Sequence, residues 1–466
     1  MKRFSAPSRK AGQFRFRSVG WLAALAVVAG LLSVPVAIAG FGNNFGGRAV
    51  GGVIVDASGM VRAATVAERT EGLNQLRTEL AQPRGEMAGA NDLRMISLRK
   101  LQEAIANQLQ TGQELSDDLR MLAGLQRIEY VFVYPERNDI VLAGPAEPWV
   151  VREDASVVGK NSGRPTLLLS DLLTAFQGVE PSRQGGISCS IDPTAEGRQR
   201  LTKLLGRVRL QPGQDPRNLE PMMREAFGPQ QVTLSGIPAD SHYARVLVAA
   251  DYQMKRIAMA LEPSPVEGLP SYMEMARNAI HSDNANPRWW MACNYDAIKR
   301  DEHRLAWKIG GQGVKAMTAE EVFEDGQVRE TGDRNKLAEK WAETMTEKFD
   351  ELAARQSVFG DLRNIMDLSV VATLVMQEGL DQTAGLDLSV LLGKSVEVPT
   401  TSYNVPKAIA PECSFVRGAR GWVVSASGGV EVTPFDVVAK QEVDATLVEV
   451  QQRATAAEKD TWWWNG

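Results

Sequence analysis

At 466 residues the chain is too long for one small core, and a hydrophobic content of 44% with 23% charged residues excludes a disordered or fibrous class. The formal net charge is −5, and the only cluster of basic residues lies in the first stretch of chain, which excludes the Lys/Arg-lined surface that nucleic acid binding needs.

That first stretch is a separate object. Lys2, Arg3, Arg9, Lys10, Arg15 and Arg17 precede an apolar run over residues 19–32, and Ala37-Ile38-Ala39 supplies a small-x-small cleavage pattern. Residues 1–39 therefore read as a secretory signal peptide. Residues 19–39 are also long enough for an uncleaved anchor, but Ser33 and Pro35 interrupt the run and favour removal. Without residues 1–39 the chain loses six basic groups and no acidic one, for a formal net of −11. No later apolar run approaches the ~18 residues of a membrane span, so the chain is expected in the periplasm or at the cell surface with no span after cleavage.

Residues 40–149 are expected to form an N-terminal α+β domain. A hairpin over residues 51–61 turns at Gly59, and helices follow over 65–125, with Leu73, Leu76 and Leu80 on one stripe and Leu98, Leu101, Ile105 and Leu109 on another. Strands are predicted over 127–134 and 140–142. A middle α+β region, 150–270, opens with a long connection; Ser170 is read as the cap of a helix over 171–176, and Asp192-Pro193 as the start of another reaching about 205. Helix, strand and long helix then occupy 218–227, 231–234 and 240–261, the last with Val246, Ala250, Met254, Ile257 and Leu261 buried and Asp251, Lys255 and Arg256 off the stripe. The C-terminal α+β domain, 271–440, holds strands near 288–295, 304–309 and 314–317 and a buried helical pair. In the first helix Leu337, Trp341, Met345, Phe349 and Leu352 share a face, expected together with the neighbouring sheet to cover the second, whose segment 370–376 has no polar side wider than Thr373. Strands at 396–398, 414–416 and 421–424 follow, then a helix over 436–457, with 441–466 as terminal helix and tail ending in Trp462-Trp463-Trp464. The fold class is α+β, with two or three domains of short antiparallel sheets packed against helices.

Three phrases stand out: Gly311-Gln312-Gly313-Val314-Lys315-Ala316-Met317, Lys340-Trp341-Ala342, and Phe359-Gly360-Asp361-Leu362-Arg363-Asn364-Ile365-Met366-Asp367. They resemble a family of exported planctomycete proteins of unknown function, over most of the chain past residue 39. The resemblance implies export and a shared architecture; it carries no activity, cofactor or catalytic residue.

Candidate chemistry is sparse. Asp301-Glu302-His303 is the densest polar cluster, with His281 and Asp283 upstream; a His beside carboxylates suits a general base or a metal, but the position reads as a solvated turn. The three histidines, His242, His281 and His303, lack the i, i+4 spacing of a zinc protease. Ser188 and Ser190 flank Cys189 without a nucleophile elbow, and Cys189, Cys293 and Cys413 fit no metal spacing. Trp289, Trp290, Tyr295 and Trp307 form an aromatic group in which Trp289 and Trp290 point to opposite faces of a strand, so an exposed one beside Arg288 could stack on a sugar or a peptide. No cofactor is implied. The function expected is non-catalytic: an exported binding or envelope-assembly protein for a protein or glycan partner. The alternative is a secreted hydrolase that acts on an extracellular polymer through carboxylates, recognisable by a pocket where acids converge and at least one is desolvated.

Overall fold

The fold turns on an apolar helix of 21 residues, and its neighbours are best met in chain order. The computed structural model describes residues 48–208, 216–277, 286–324, 327–330, 335–411, 413–415, 422–424 and 428–466. The leader sequence, His281 and Asp283 lie outside the described residues. β1 (Val53–Val55) and β2 (Met60–Ala63) make the expected hairpin, turned by the Asp56 carboxylate accepting from the Ser58 and Met60 amides. α1 (Val66–Glu79) opens with a capping box between Thr65 and Glu68. β3 (Asn91–Ser97) then precedes α2 (Leu98–Gln110) and the single turn α3 (Asp117–Arg120), so a strand interrupts the stretch read as helical. β4 (Tyr130–Tyr134), β5 (Asp139–Ala146) and a ribbon of β6 (Trp149–Val151) and β7 (Val157–Gly159) follow.

α4 (Leu169–Ser182) begins ahead of Ser170, which is therefore inside the helix rather than its cap. After β8 (Ile187–Pro193) comes α5 (Ala195–Arg207). Its cap is Thr194, which accepts from the Gly197 amide at 3.0 Å, so Asp192-Pro193 closes the strand instead of opening the helix. α6 (Glu220–Phe227), β9 (Gln230–Ser235), α7 (His242–Ala258) and α8 (Tyr272–Arg277) follow, the last entered through a Ser271/Glu274 reciprocal cap. Then come β10 (Asn286–Asn294), β11 (Ile298–Arg300), β12 (Ala306–Lys308), β13 (Gly313–Glu324), β14 (Gln327–Glu330), α9 (Lys336–Glu347), α10 (Phe349–Arg355), α11 (Ser357–Gln377) and α12 (Leu380–Ala384). Residues 396–398 have no regular structure. The chain ends through β15 (Ala408–Ile409), β16 (Cys413–Phe415), β17 (Trp422–Val424), β18 (Gly428–Val432), α13 (Pro434–Val438), β19 (Gln441–Val443), α14 (Leu447–Ala456) and β20 (Trp463–Asn465). The helix expected over 436–457 is thus two helices around a strand, and the tryptophan tail is a strand paired with β3.

The α+β class holds, and most of the strands join into two large mixed sheets. The order in one is β1-β2-β15-β9-β8-β18-β10-β13-β14 and in the other β19-β11-β12-β4-β5-β3-β20; β6/β7 and β16/β17 are two-stranded pairs. Pairing is antiparallel except for β2/β15, β10/β18 and β11/β19. Strands from 40–149 and from beyond 271 lie in both large sheets, and residues 43–466 form one compact unit.

α11 joins the two main cores. Val358, Phe359, Leu362, Ile365 and Met366 pack with Trp341, Met345, Phe349 and Leu352 beneath the nine-stranded sheet. Leu368, Val370, Val371, Leu374 and Val375 belong to the other core, with Leu172, Phe176 and the seven-stranded sheet. The α9–α10 face therefore covers only the first half of α11, and segment 370–375 is covered by other elements. The reason is length: 21 residues at ~1.5 Å each extend ~30 Å, well past the seven residues of α10 that lie against α11. α7 is buried on more sides than its stripe implied, because it touches both the nine-stranded sheet and α11. Asp251 and Lys255, read as off the stripe, are buried and pair at 2.8 Å. Gly428 permits this, since a Cβ there would lie 2.4 Å from Lys255 Cε.

Candidate functional site

Asp301 is buried, and its carboxylate accepts from the amides of His303, Leu305 and Ala306, so it builds the turn between β11 and β12. Glu302 and His303 are exposed on that turn. Trp289 is buried edge-on between Tyr272 and Trp341, with ring centroids 5.1 and 5.4 Å away. Trp290 points to the other face, half-buried, with the Arg288 guanidinium 5.5 Å from its ring. The Tyr295 hydroxyl donates to Asp367 at 2.7 Å, and Arg127 forks onto the same carboxylate at 2.9 and 2.9 Å while donating to the Gly311 carbonyl. This lock ties β10, α11 and the approach to β4 together. None of these six candidates lines the cavity described next. Cys189 and Cys293 carry free thiols, both pushed up by burial.

A cavity of about 190 Å³ lies elsewhere, where the amino ends of α4, α7 and α11 meet. Each helix start is set locally. Ser241 caps α7 by accepting from the Ala244 amide at 3.1 Å, which leaves His242 as the first helical residue. Asp171 sits in the first turn of α4, and Ser357 and Asp361, four residues apart, share a face at the start of α11. His242, Ser357 and Asp361 line the cavity, with walls from the Asp154–Val157 turn between β6 and β7, the irregular Thr400-Thr401 segment, and Tyr403.

The His242 Nδ1 lies 2.9 and 3.1 Å from the two oxygens of Asp171, whose side chain is 5% exposed. Burial alone would lower the pKa of His242, but the charge of Asp171 and the hydrogen bond to it outweigh this and raise it. With Nδ1 turned to a carboxylate, Nε2 is the end left for other partners. The Tyr403 ring packs at 5.9 Å from the imidazole, and Arg245 lies 5.8 Å from that ring. Burial pushes the Asp361 carboxyl up to about 7, with Asp171 and Asp154 adding repulsion and His242 and Arg152 opposing it. Asp154 goes the other way: burial raises it, but hydrogen bonds from Arg152 and Ser156 together hold it below the usual range.

Among the described residues, neither the His242 Nε2, the Asp361 carboxyl nor the Ser357 hydroxyl has a hydrogen-bond partner. Three polar groups thus turn unpaired atoms to one space, which can accept, donate and relay protons near neutral pH. Among the described residues no group of three or more His, Cys, Asp or Glu is placed to hold a metal. Sequence reasoning passed over this site because Asp171, His242 and Asp361 belong to three separate helices. The available signal was polar residues in the first turns of strongly apolar helices, beyond what capping requires.

Residues 189–272 match a family described as a protein of unknown function, DUF1598. The matched segment includes His242 but neither Asp171 nor Asp361. No curated protein and no solved structure matches the chain.

Proposed function

We propose that the cavity is the site of an acid–base reaction, the hydrolysis of a small polar substrate or of the end of a polymer, on an exported chain. The observation that carries this reading is the convergence of the His242–Asp171 pair and the desolvated Asp361 on one space, each with an unpaired polar atom turned inward. In this reading His242, oriented by Asp171, takes a proton from water through Nε2, and Asp361, protonated below about pH 7, gives one to the leaving group. The leader pattern of residues 1–39 supports export and so a substrate in the envelope or outside the cell.

The test is a hydrolase screen of the exported form against peptidoglycan, polysaccharides and peptides. The parent should turn over one class, and His242→Ala and Asp361→Asn should each lower kcat by about 10²–10⁴. The second reading, non-catalytic binding of an envelope protein or glycan, is favoured by the exposed Thr400 and Thr401 on an irregular wall of the cavity, which suit adaptable hydrogen bonding. It takes over if every class is left intact while a ligand from envelope extracts is retained by the parent and lost by a variant of the cavity.

A further inference from the structure

An α-helix leaves its first amide donors unsatisfied and carries the positive end of its dipole there. Three such ends face the cavity, and those of α4 and α11 have no side-chain cap: Leu168 and Gln356 occupy the cap positions without a capping hydrogen bond. Independently, Ser357 is 3% exposed, lines the cavity, and has no hydrogen-bond partner for its hydroxyl among the described residues. A hydroxyl without a protein partner at the cavity is left to hydrogen-bond whatever occupies it. Arg48 and Arg120 also line the cavity, Arg120 paired with Asp117 at 3.1 Å as the Asp154 carboxylate is with Arg152.

We propose that the cavity selects a small anionic ligand, bearing a carboxylate or a tetrahedral oxyanion, whose charged group sits at the amino end of α11 against the Ser357 hydroxyl, leaving the His242 Nε2 to the water. This rests on the reading of the cavity as a reaction site and adds the charge of its substrate. Asp361, one turn along the same helix face, then has a defined part. As a neutral carboxyl it donates to the anion; as a carboxylate it repels it. The groups that face Asp361 include His242 from α7, Asp171 from α4, Asp154 and Arg152 from the turn between β6 and β7, and Tyr403, with Arg48 on the same cavity wall. The first loses its own charge as pH rises, which acts in the same direction. Anion binding therefore takes up protons, and affinity falls as pH rises through about 7.

Titration calorimetry of the full chain with acetate and with sulfate tests this, because neither probe changes charge between about pH 6 and about pH 8. Saturable binding of at least one is expected, weakening roughly tenfold across that range. Ser357→Ala should weaken it about fivefold to tenfold with an unchanged melting temperature, and Asp361→Asn should remove the part of the pH dependence centred near 7. Tighter acetate or tighter sulfate identifies which oxyanion the site prefers. Binding of neither anion, equal binding of uncharged acetamide, or an unaltered Ser357→Ala would overturn the proposal. If the anions fail while His242→Ala abolishes hydrolysis, the inferred charge is wrong and the reaction site stands. If both fail, both readings go.

Discussion

Asp361 is half-buried at the cavity without a hydrogen bond, and its folded-state pKa of about 7 against an ordinary 3.8 has a direct consequence for stability. Between those values the folded state binds more protons than the unfolded one, so stability is greatest below the lower value and is lost as pH rises through the upper. Above about pH 7 the protein holds a partly desolvated carboxylate with no hydrogen bond to it. Asp361→Asn removes that burden, so thermal melts should show the variant more stable than the parent at about pH 8, with the gap narrowing as pH falls and closing only below about pH 4. A gap that is the same at both pH values would remove the desolvated carboxyl from the account. His242 has the same sign: its raised pKa contributes stability below 6.5 that is lost as pH climbs through the folded value. None of this was legible residue by residue. His242 looked like one of three scattered histidines, and Asp171 lies 71 positions away, a pairing that only tertiary contact reveals. The polar cluster that was legible, Asp301-Glu302-His303, is a turn because its carboxylate is spent on backbone amides.

Elements were far easier to read than sites. α11 declared itself by having no polar face, and it is buried from Ser357 through Val375 apart from Asp361 at the cavity. Helix starts were less certain, since Ser170, Asp192 and Pro193 all have the chemistry of a cap without occupying one. β3 was missed because its polar start, Asn91-Asp92, reads as loop, while its pairing with β5 and β20 is non-local. The helical pair is three helices, because the face from Leu337 to Leu352 breaks at Lys348 into α9 and α10, and residues 370–375 are covered by a sheet and α4 rather than by that face, because periodicity shows that a face is buried without showing against what. Leu368 is the place to check. It is fully enclosed where α11 passes from one core to the other, so Leu368→Ala should cost about 2–5 kcal/mol in denaturant unfolding. Val66→Ala, on a side chain 71% exposed at the start of α1, should stay within about 0.5 kcal/mol. A Leu368→Ala cost as small as that control would mean the two cores are not joined through α11.

For the whole molecule, the decisive fact is that the last residues complete a sheet begun near residue 91. Trp464 is 1% exposed against Met95 and Phe132, its indole donating to the Ala454 carbonyl. The Ser97 amide donates to Trp462 and the Gly466 amide to Leu93, so the pairing is closed at both ends. Arg94, fully buried, stacks under Trp463 at 5.0 Å and donates to the Asn465 side chain at 2.9 Å and to the Ala123 carbonyl at 2.7 Å. Three consecutive tryptophans at a terminus looked like a loose tail because nothing nearby in sequence could cover them; the cover comes from the other end of the chain. Deleting residues 461–466 would therefore leave β3 with an unpaired edge, Arg94 short of a partner and a void the size of an indole. By comparison with a buried Trp→Ala change, the loss should be at least about 3–5 kcal/mol. Because the seven-stranded sheet draws on the first and last described segments alike, the loss should appear as a shift of one cooperative unfolding transition, with far-UV and tryptophan-fluorescence midpoints moving together. A truncated chain that melts like the parent, or one in which the two probes separate, would show that the terminal strand is an accessory to the fold rather than one of its closing pieces.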